Sequence, residues 1–217
     1  RVLAAEGALK TRLEAGLADL AVPHDGCAID RLWQWLALHE RWSRAFNLTG
    51  TQDAETLVEG HLLDCAAVLP ALTEPGVLYD VGTGAGLPGL ILAALAPERP
   101  FVLVESLGKR VRFLEQAIAT LALPEVSVLE QRAEQVIFAP EAAGILVRAV
   151  APLERLCALL HMPLAAGGRL LAMKGAQWGQ EWAPLEDRFT LEARYAYRVP
   201  SYDQERVLLK VRSKDAK

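Results

Sequence analysis

A glycine-rich stretch, LYDVGTGAGLPG at residues 78–89, follows an apolar run and contains one acidic residue, Asp80. Gly82, Gly84 and Gly86 alternate with other residues, and glycine permits both sharp turns and the close approach of a ligand to the backbone. Backbone N–H groups at the start of a following helix can then face that ligand. The stretch predicts a small-molecule site directly after a strand, although a tight strand-to-helix turn would require the same glycines.

The spacing Gly84-x-Gly86-x-x-Gly89 matches a dinucleotide-binding fingerprint, and Glu105, about 20 residues downstream, matches its ribose-binding acid. Glu105 ends an apolar run, so its carboxylate is expected in the ligand crevice unless it is a solvated strand end. Asp80 is unusual in dinucleotide binders and suits a ligand with an amino group and a sulfonium. The absence of a GK[ST] sequence excludes a P-loop. The pattern therefore favours S-adenosylmethionine, with an NAD-dependent oxidoreductase as the alternative.

The composition is that of a globular protein with a sizeable core, because 52% of the 217 residues are hydrophobic and 23% are charged. The sequence contains no uncharged apolar run of about 18 residues, so no membrane span is expected. The first residues lack a signal-peptide layout. The net charge of −4 argues against a general nucleic-acid coat protein but leaves room for a local basic face. A monomer is expected.

The cysteines and histidines are scattered along the chain. Cys27, Cys65 and Cys157 form no CxxC spacing, and the four histidines form no HxxxH or HExxH pattern. Neither a disulfide framework nor a zinc site is supported, and a reducing environment fits best. We therefore expect a cytoplasmic protein without a bound metal.

Residues before about 75 predict a helical N-terminal cap. Leucines from Leu3 to Leu20 recur at helical spacing until Pro23, and Asp30 is predicted as the N-cap of a second helix. A third helix is expected from Asp53 to about residue 70. Three tryptophans at helical spacing are expected to pack within the cap rather than to stack on bases, namely Trp33, Trp35 and Trp42.

From residue 76 onwards, short apolar runs alternate with helical stretches, a pattern typical of a parallel sheet covered by helices. Strands are predicted at 77–81, 101–105, 126–129, 145–150 and 169–173, with helices at 87–96, 109–122 and 152–164. Residues 189–199 and 206–212 predict a closing antiparallel hairpin across a turn at 200–203. The fold expected is α/β, with a mostly parallel seven-stranded sheet. Residues 1–75 form the cap and 76–217 the core of one compact unit.

Basic residues cluster at the start of one predicted helix. Lys109, Arg110 and Arg112 lie where the helix dipole prefers acids, which predicts an anionic partner unless this is simply a solvated face. The cations that could extend a phosphate-binding rim are Arg132, Arg148, Lys174 and the tail residues Arg206, Lys210, Arg212, Lys214 and Lys217. Tail charges can equally serve solubility.

Arg148 and His61 are the remaining candidates for chemistry. Arg148 ends the apolar run 145–147, at the end of a strand where sites form. An ion pair with Glu134 or Glu154 is its structural alternative. His61 lies on an apolar helix face, where a packed histidine and a functional one are both open.

Seven motifs in order carry a family resemblance: FNLTG (46–50), HLLDC (61–65), DVGTGAGLPG (80–89), ESLGKRVRFL (105–114), QRAEQV (131–136), VRAVAPL (147–153) and GGRLLAMKG (167–175). Together they resemble the GidB/RsmG family, bacterial methyltransferases that modify guanine N7 in small-subunit ribosomal RNA. The match runs from about residue 30 to 212. It implies a Rossmann-like class I methyltransferase fold, S-adenosylmethionine as donor, S-adenosylhomocysteine as product, and a target guanine near the decoding site of 16S rRNA or the 30S subunit.

The resemblance also implies positions for the cofactor. Glu105 is expected at the adenosine hydroxyls, Ala133 and Glu134 by the adenine, and Arg148 at the methionine end. The full predicted cofactor site is Asp80, Gly82, Gly84, Gly86, Leu87, Glu105, Ala133, Glu134 and Arg148. The sequence departs from the family pattern at three places: Glu105 replaces a more common aspartate, Gly60 replaces an arginine before His61, and VRAVAPL replaces a Ser-Arg-Ala-Phe sequence.

Guanine N7 carries an in-plane lone pair at neutral pH, so its methylation needs no general base. Asn47 and Arg148 are the candidates for holding the base, and His61 completes the predicted catalytic set. Asp80, His61 and Asp64 are expected to shape the pocket. Because the major groove of A-form RNA is deep and narrow, the target is expected in a loop or as an exposed base. A non-catalytic ribosome-associated module and a methyltransferase for proteins or small molecules remain alternatives.

Overall fold

The computed structural model describes residues 6–50, 53–140, 142–200 and 203–216. Its helices are α1 (Glu6–Asp19), α2 (Gly26–Ser43), α3 (Ala54–Leu57), α4 (Leu63–Ala66), α5 (Gly89–Leu95), α6 (Gly108–Leu121), α7 (Leu153–Leu159), α8 (His161–Ala165) and α9 (Trp178–Trp182). Its strands are β1 (Leu78–Val81), β2 (Phe101–Glu105), β3 (Val126–Glu130), β4 (Gly144–Arg148), β5 (Leu170–Lys174), β6 (Phe189–Tyr197) and β7 (Arg206–Ser213).

The seven strands form one sheet in the order β3-β2-β1-β4-β5-β7-β6. Strands β1 to β5 are parallel, and β7 pairs antiparallel with both β5 and β6. This confirms the predicted α/β architecture and its closing hairpin. The strand order reverses at β1, with β2 on one side and β4 on the other, and the carboxyl ends of strands at such a switch point are where ligands bind in open α/β sheets. The glycine stretch follows β1 there, and Arg148 ends β4.

Burial explains why the central strands are short apolar runs. All four residues of β1 and the first four of β4 are buried, as expected for parallel strands covered on both faces. The predicted extension of β4 to residue 150 is wrong, because Ala149 has a φ of 53° and lies in the left-handed region. The predicted helix at 152–164 is two helices, α7 and α8, interrupted at Leu160, and α9 was not predicted.

The N-terminus of α2 corrects one expectation. Asp25 is the N-cap, and its Oδ1 accepts a hydrogen bond from the Ala28 backbone N–H at 2.7 Å, whereas Asp30 lies inside the helix. Further along α2, Trp35 is fully buried and its Nε1–H donates to the Ala85 carbonyl at 3.0 Å. Helix α2 is therefore bonded directly to the glycine stretch.

Cap and sheet share one hydrophobic cluster. Leu13 and Leu17 of α1 belong to the same cluster as Leu90 of α5 and Phe101 of β2. The predicted packing of the cap tryptophans is confirmed for Trp33 and Trp35, which are buried, while Trp42 is partly buried and its Nε1–H donates to Gln116 of α6 at 2.8 Å.

The division at residue 75 stays a prediction. Leu3, the turn residues Ser201 and Tyr202, and Lys217 lie outside the described residues. Within the described ranges, no helix is both long and apolar enough to cross a membrane.

Candidate active site

The glycine stretch turns sharply at three positions. Gly82, Gly84 and Gly86 have φ values of 71°, 59° and 85°, which side chains other than glycine rarely adopt. A Cβ at Gly82 would lie 2.8 Å from the Val150 side chain, whereas a Cβ at Gly84 would meet nothing within 4 Å. The backbone at Gly84 is therefore open to a ligand, and the residues after β4 lie against Gly82.

Asp80 binds the glycine stretch through two hydrogen bonds. Its carboxylate is fully buried, and Oδ2 accepts hydrogen bonds from the Thr83 hydroxyl at 2.6 Å and the Gly89 backbone N–H at 2.7 Å. The other oxygen, Oδ1, is buried without a hydrogen-bond partner among the described residues. Burial raises the pKa of the Asp80 carboxyl to about 6. A buried acceptor of this kind fits a ligand that brings its own donor group.

Glu105 connects the glycine stretch to α6. Its Oε1 accepts from the backbone N–H groups of Ser106 and Leu107 at 2.8 and 2.9 Å, and its Oε2 accepts from Gly84 N–H at 3.1 Å. Arg110 lies 3.6 Å from the same carboxylate. The acid thus fixes the relative position of the two loops that end β1 and β2.

The other predicted cofactor residues lie along the same edge. Leu87 is buried beside the glycines, and Ala133 and Glu134 belong to a short 3-10 helix after β3, with Glu134 exposed. The backbone at Gly84 is open, and Asp80 Oδ1 is a buried acceptor without a partner among the described residues. An acceptor in this place suits the amino group of S-adenosylmethionine better than the negative charge of a pyrophosphate. The residues present therefore fit this cofactor.

Arg148 is held by the cap rather than by Glu134 or Glu154. Its Nε donates to Asp64 Oδ2 at 2.9 Å, and its Nη2 lies 3.2 Å from the Gly60 carbonyl and 2.9 Å from His61 Nδ1. The structure therefore brings together two predicted catalytic residues, His61 and Arg148, and ties both to the end of β4.

Asp64 is the centre of this network. It is fully buried, and its Oδ1 accepts from Arg206 Nε at 2.5 Å and from the Tyr197 hydroxyl at 3.0 Å. One carboxylate on α4 thereby joins β4, β6 and β7. Arg206, predicted as part of a phosphate-binding rim, is engaged in this interior ion pair.

The backbone between α3 and α4 makes the network possible. Residues Val58–Leu62 form a π-helix, in which the Leu63 N–H bonds to the Val58 carbonyl five residues earlier. The Gly60 carbonyl accepts from Arg148 within this segment. Single-turn π-segments often occur at functional sites. Sequence reasoning missed this feature, and its visible signal is the glycine inside an otherwise apolar helical pattern.

His39 is a second residue that sequence reasoning missed. It is fully buried in α2, its ring stacks on Trp35 with centroids 5.0 Å apart, and its Nε2 lies 2.9 Å from the Thr49 hydroxyl. It thereby links α2 to the FNLTG turn. Burial lowers the pKa of His39 to about 4, with a smaller contribution from the nearby His61. Burial and the Arg148 charge lower the pKa of His61 to about 4.

These histidines predict acid sensitivity. A histidine whose pKa falls from 6.5 to about 4 on folding contributes stability above pH 6.5 that is lost as the pH falls towards 4. For His39 the loss amounts to about 2 kcal/mol between pH 7 and pH 5. Asp80 acts in the opposite direction, because its pKa is raised on folding. Urea unfolding at pH 7 and pH 5 measures this effect. Between these pH values, the free energy of unfolding of His39→Gln should fall by about 2 kcal/mol less than that of the wild type.

The exposed His161 provides the matched control. His161→Gln should retain the wild-type difference between the two pH values. Equal pH dependence in His39→Gln and the wild type would contradict the assignment of His39 as a neutral buried group.

Asn47 lies on the other side of the site. Its Oδ1 accepts from the Gly50 N–H at 2.7 Å, and the side chain is exposed. A cleft of about 380 Å³ separates this turn from the start of α6, lined by Phe46, Asn47, Leu48, Leu107, Gly108, Lys109 and Arg110. The Lys109 ammonium lies 5.1 Å from the centre of the Phe46 ring. Two of the predicted RNA-binding cations therefore border the same cleft as Asn47.

The remaining predicted cations are dispersed. Arg112 and Arg132 are exposed. Lys174 donates to the Ala151 carbonyl and to Glu181, both at 2.7 Å, and thus holds the loop after β4. No cluster of three or more metal-ligating side chains is found in the described part of the chain.

Comparison with solved structures agrees with the fold. Magnesium protoporphyrin IX methyltransferase (ChlM) from Synechocystis PCC 6803, solved with bound S-adenosylmethionine, has a TM-score of 0.58 at 18% identity, covering 88% of this chain and 99% of that one. The tRNA methyltransferase TrmK from B. subtilis has a TM-score of 0.52 at 16% identity, covering 70% and 66% of the two chains. The fold is that of class I S-adenosylmethionine-dependent methyltransferases.

Sequence comparison is more specific. The ribosomal RNA small subunit methyltransferase G of Chromohalobacter salexigens is 42% identical over 205 residues, covering 94% of this chain and 98% of that protein. The protein of the same name from Halorhodospira halophila is 42% identical over 192 residues, covering 87% and 89%. The family model of GidB, described as rRNA small subunit methyltransferase G, matches residues 28–209. The chain therefore belongs to the GidB family and is a methyltransferase whose cofactor is S-adenosylmethionine.

Proposed function

We propose that this chain transfers a methyl group from S-adenosylmethionine to N7 of a guanine in small-subunit (16S) ribosomal RNA, near the decoding site. The observation that carries the proposal is the family match across residues 28–209, which includes the glycine stretch, the HLLDC motif and Arg148. The names of the curated relatives support ribosomal RNA as the substrate. The motifs that resemble this family support guanine N7. A cytoplasmic monomer acting on the RNA or on the 30S subunit is part of the proposal.

The chemistry needs no proton transfer. The cofactor supplies an electrophilic methyl group, so that the N7 lone pair forms the new N–C bond while the C–S bond breaks and its electron pair stays on sulfur. Positive charge moves from the sulfonium to the purine, and S-adenosylhomocysteine is the other product. The task left to the protein is orientation and tolerance of this charge. A site whose histidines have pKa values of about 4 suits this task, since neither ring adds positive charge at neutral pH.

The base must be held without blocking N7. Guanine offers two acceptors on its major-groove edge, N7 and O6, so donors on the protein can use O6 or the neighbouring phosphates. The Asn47 amide nitrogen has no hydrogen-bond partner among the described residues and borders the cleft that Lys109 and Arg110 line. Asn47 is proposed to hold the base and these cations to contact phosphate. Arg148, the last residue of β4, is proposed to border the methionine end of the cofactor.

The test is transfer of labelled methyl from S-adenosylmethionine to unmodified small ribosomal subunits, with naked ribosomal RNA and protein fractions in parallel. Label at guanine N7 is expected in the RNA. Asn47→Ala should reduce turnover, whereas Gln180→Ala, an exposed amide on α9, should leave it unchanged. Label found only in protein or small molecules would refute the proposal. Turnover unaffected in both Asn47→Ala and Arg148→Met would refute the assigned roles.

A further inference from the structure

His61 receives a hydrogen bond from a group that can only donate. Arg148 Nη2 lies 2.9 Å from His61 Nδ1, and a guanidinium stays protonated and has no acceptor atom. Nδ1 must therefore be the unprotonated nitrogen of the ring. Since a neutral imidazole carries one hydrogen, that hydrogen lies on Nε2. The contact thus determines the tautomer of His61.

Arg148 is in turn fixed from two sides. Asp64 binds its Nε at 2.9 Å, and the Gly60 carbonyl of the π-helix binds its Nη2 at 3.2 Å. Asp64 has its own partners in Tyr197 and Arg206, so its carboxylate cannot turn away without breaking several buried bonds. The guanidinium is therefore held in one orientation towards His61.

The surroundings of the ring also disfavour its charged form. Burial and the Arg148 charge both disfavour a second proton, and they lower the pKa of His61 to about 4. The ring is half-buried, and Nε2 has no hydrogen-bond partner among the described residues. The His61 ring contacts Arg148, which is the last residue of β4. Val150, two residues after Arg148, lies against Gly82 of the cofactor loop. The His61 ring thus lies beside Arg148, at the end of the strand that adjoins the cofactor loop.

We propose that Asp64 and Arg148 are positioning residues that hold His61 as a neutral donor at Nε2, and that this N–H binds O6 of the target guanine. The proposal rests on the proposed function and deepens it. O6 is the acceptor next to N7, so a donor to O6 orients the base and leaves the N7 lone pair free. A neutral donor suits this position better than an imidazolium, which would repel both the sulfonium and the positive charge that develops on the purine.

The tautomer can be tested without cofactor or RNA. Nitrogen-15 long-range correlation spectra of the whole protein, labelled at histidine, should show His61 with a protonated Nε2 and an unprotonated Nδ1 at pH 7. His61→Gln identifies the resonance by its disappearance. A hydrogen on Nδ1, or a doubly protonated ring at pH 7, would overturn the positioning role of Arg148, whatever the methyl acceptor is.

The contact with O6 needs a second experiment. Glutamine at position 61 can place an N–H donor where Nε2 lies. The shorter asparagine can keep an acceptor facing Arg148, but its NH₂ group does not reach the position of Nε2. His61→Asn should lose about tenfold in kcat/KM, as expected for one hydrogen bond, and His61→Gln should recover most of that loss. Both variants leave Asp64 and its ion pairs untouched, so a folding defect is not expected.

A change in the base, combined with the change in the protein, shows whether the two groups interact directly. In small subunits reconstituted with 2-aminopurine at the target position, O6 is absent while N7 remains. The kcat/KM of the wild type should then fall about tenfold, and the kcat/KM of His61→Asn should fall no further than it does with guanine. Losses that multiply, or equal activity of His61→Gln and His61→Asn, would overturn the O6 contact while leaving the proposed function intact. Absence of methyl transfer to guanine by the wild type would instead overturn the proposed function together with that contact.

Discussion

The Asp64→Asn variant is expected to lose about 3–5 kcal/mol of the free energy of unfolding, because it leaves buried positive charge without its counter-charge. Asp64 is fully buried and pairs with Arg148 at 2.9 Å and Arg206 at 2.5 Å. An asparagine has one oxygen in place of two, so its NH₂ group must face one of these donors. Urea unfolding monitored by circular dichroism at pH 7 measures the loss directly.

The neighbouring hydroxyl provides the control. Tyr197→Phe removes a neutral donor from the same carboxylate and should cost only about 1 kcal/mol. A loss below about 1 kcal/mol for Asp64→Asn would contradict the buried ion pairs. If Asp64→Asn does not fold, adding Arg206→Met should recover part of the stability, since one uncompensated charge is then removed. Failure of this second substitution to help would also count against the electrostatic explanation.

The sequence predicts the sheet well because its signals are local. Each central strand is a short apolar run between helical stretches, and a parallel strand buried on both faces requires this composition. The spacing of Glu105 and the glycines is a local signal of the same kind, since Glu105 ends β2 and the glycines follow β1, and the carboxyl ends of these parallel strands meet at one edge. These elements need no knowledge of distant contacts.

The Arg148 network could not be predicted in the same way. Its partner Asp64 lies 84 residues earlier and Arg206 lies 58 residues later, and no local pattern records such contacts. Propensity also predicts a plain α-helix where the chain forms a π-segment around Gly60, because that choice depends on tertiary packing.

The Glu105→Gln variant is expected to bind S-adenosylmethionine about 10–100-fold more weakly, the effect of losing hydrogen bonds to a charged acceptor. Both oxygens of Glu105 accept from backbone N–H groups, at Ser106 and Leu107 on one side and Gly84 on the other. Glutamine must turn its NH₂ group towards one of these sets, which places donor against donor. Isothermal titration calorimetry with the cofactor measures the change.

The Glu105→Asp variant distinguishes the role of the negative charge from that of the side-chain length. Glu105→Asp keeps the carboxylate and matches the residue that the family resemblance gives more often at this position, so its affinity should stay within a few-fold of the wild type. If both variants weaken binding equally, the reach of the side chain rather than its charge anchors the glycine stretch. If neither does, Glu105 only holds the turn before α6 and the cofactor hydroxyls bind elsewhere. A selective loss in Glu105→Gln would indicate that one carboxylate both fixes Gly84 and binds the adenosine hydroxyls, because only an ionised acceptor can serve donors from the two loops and from the ligand.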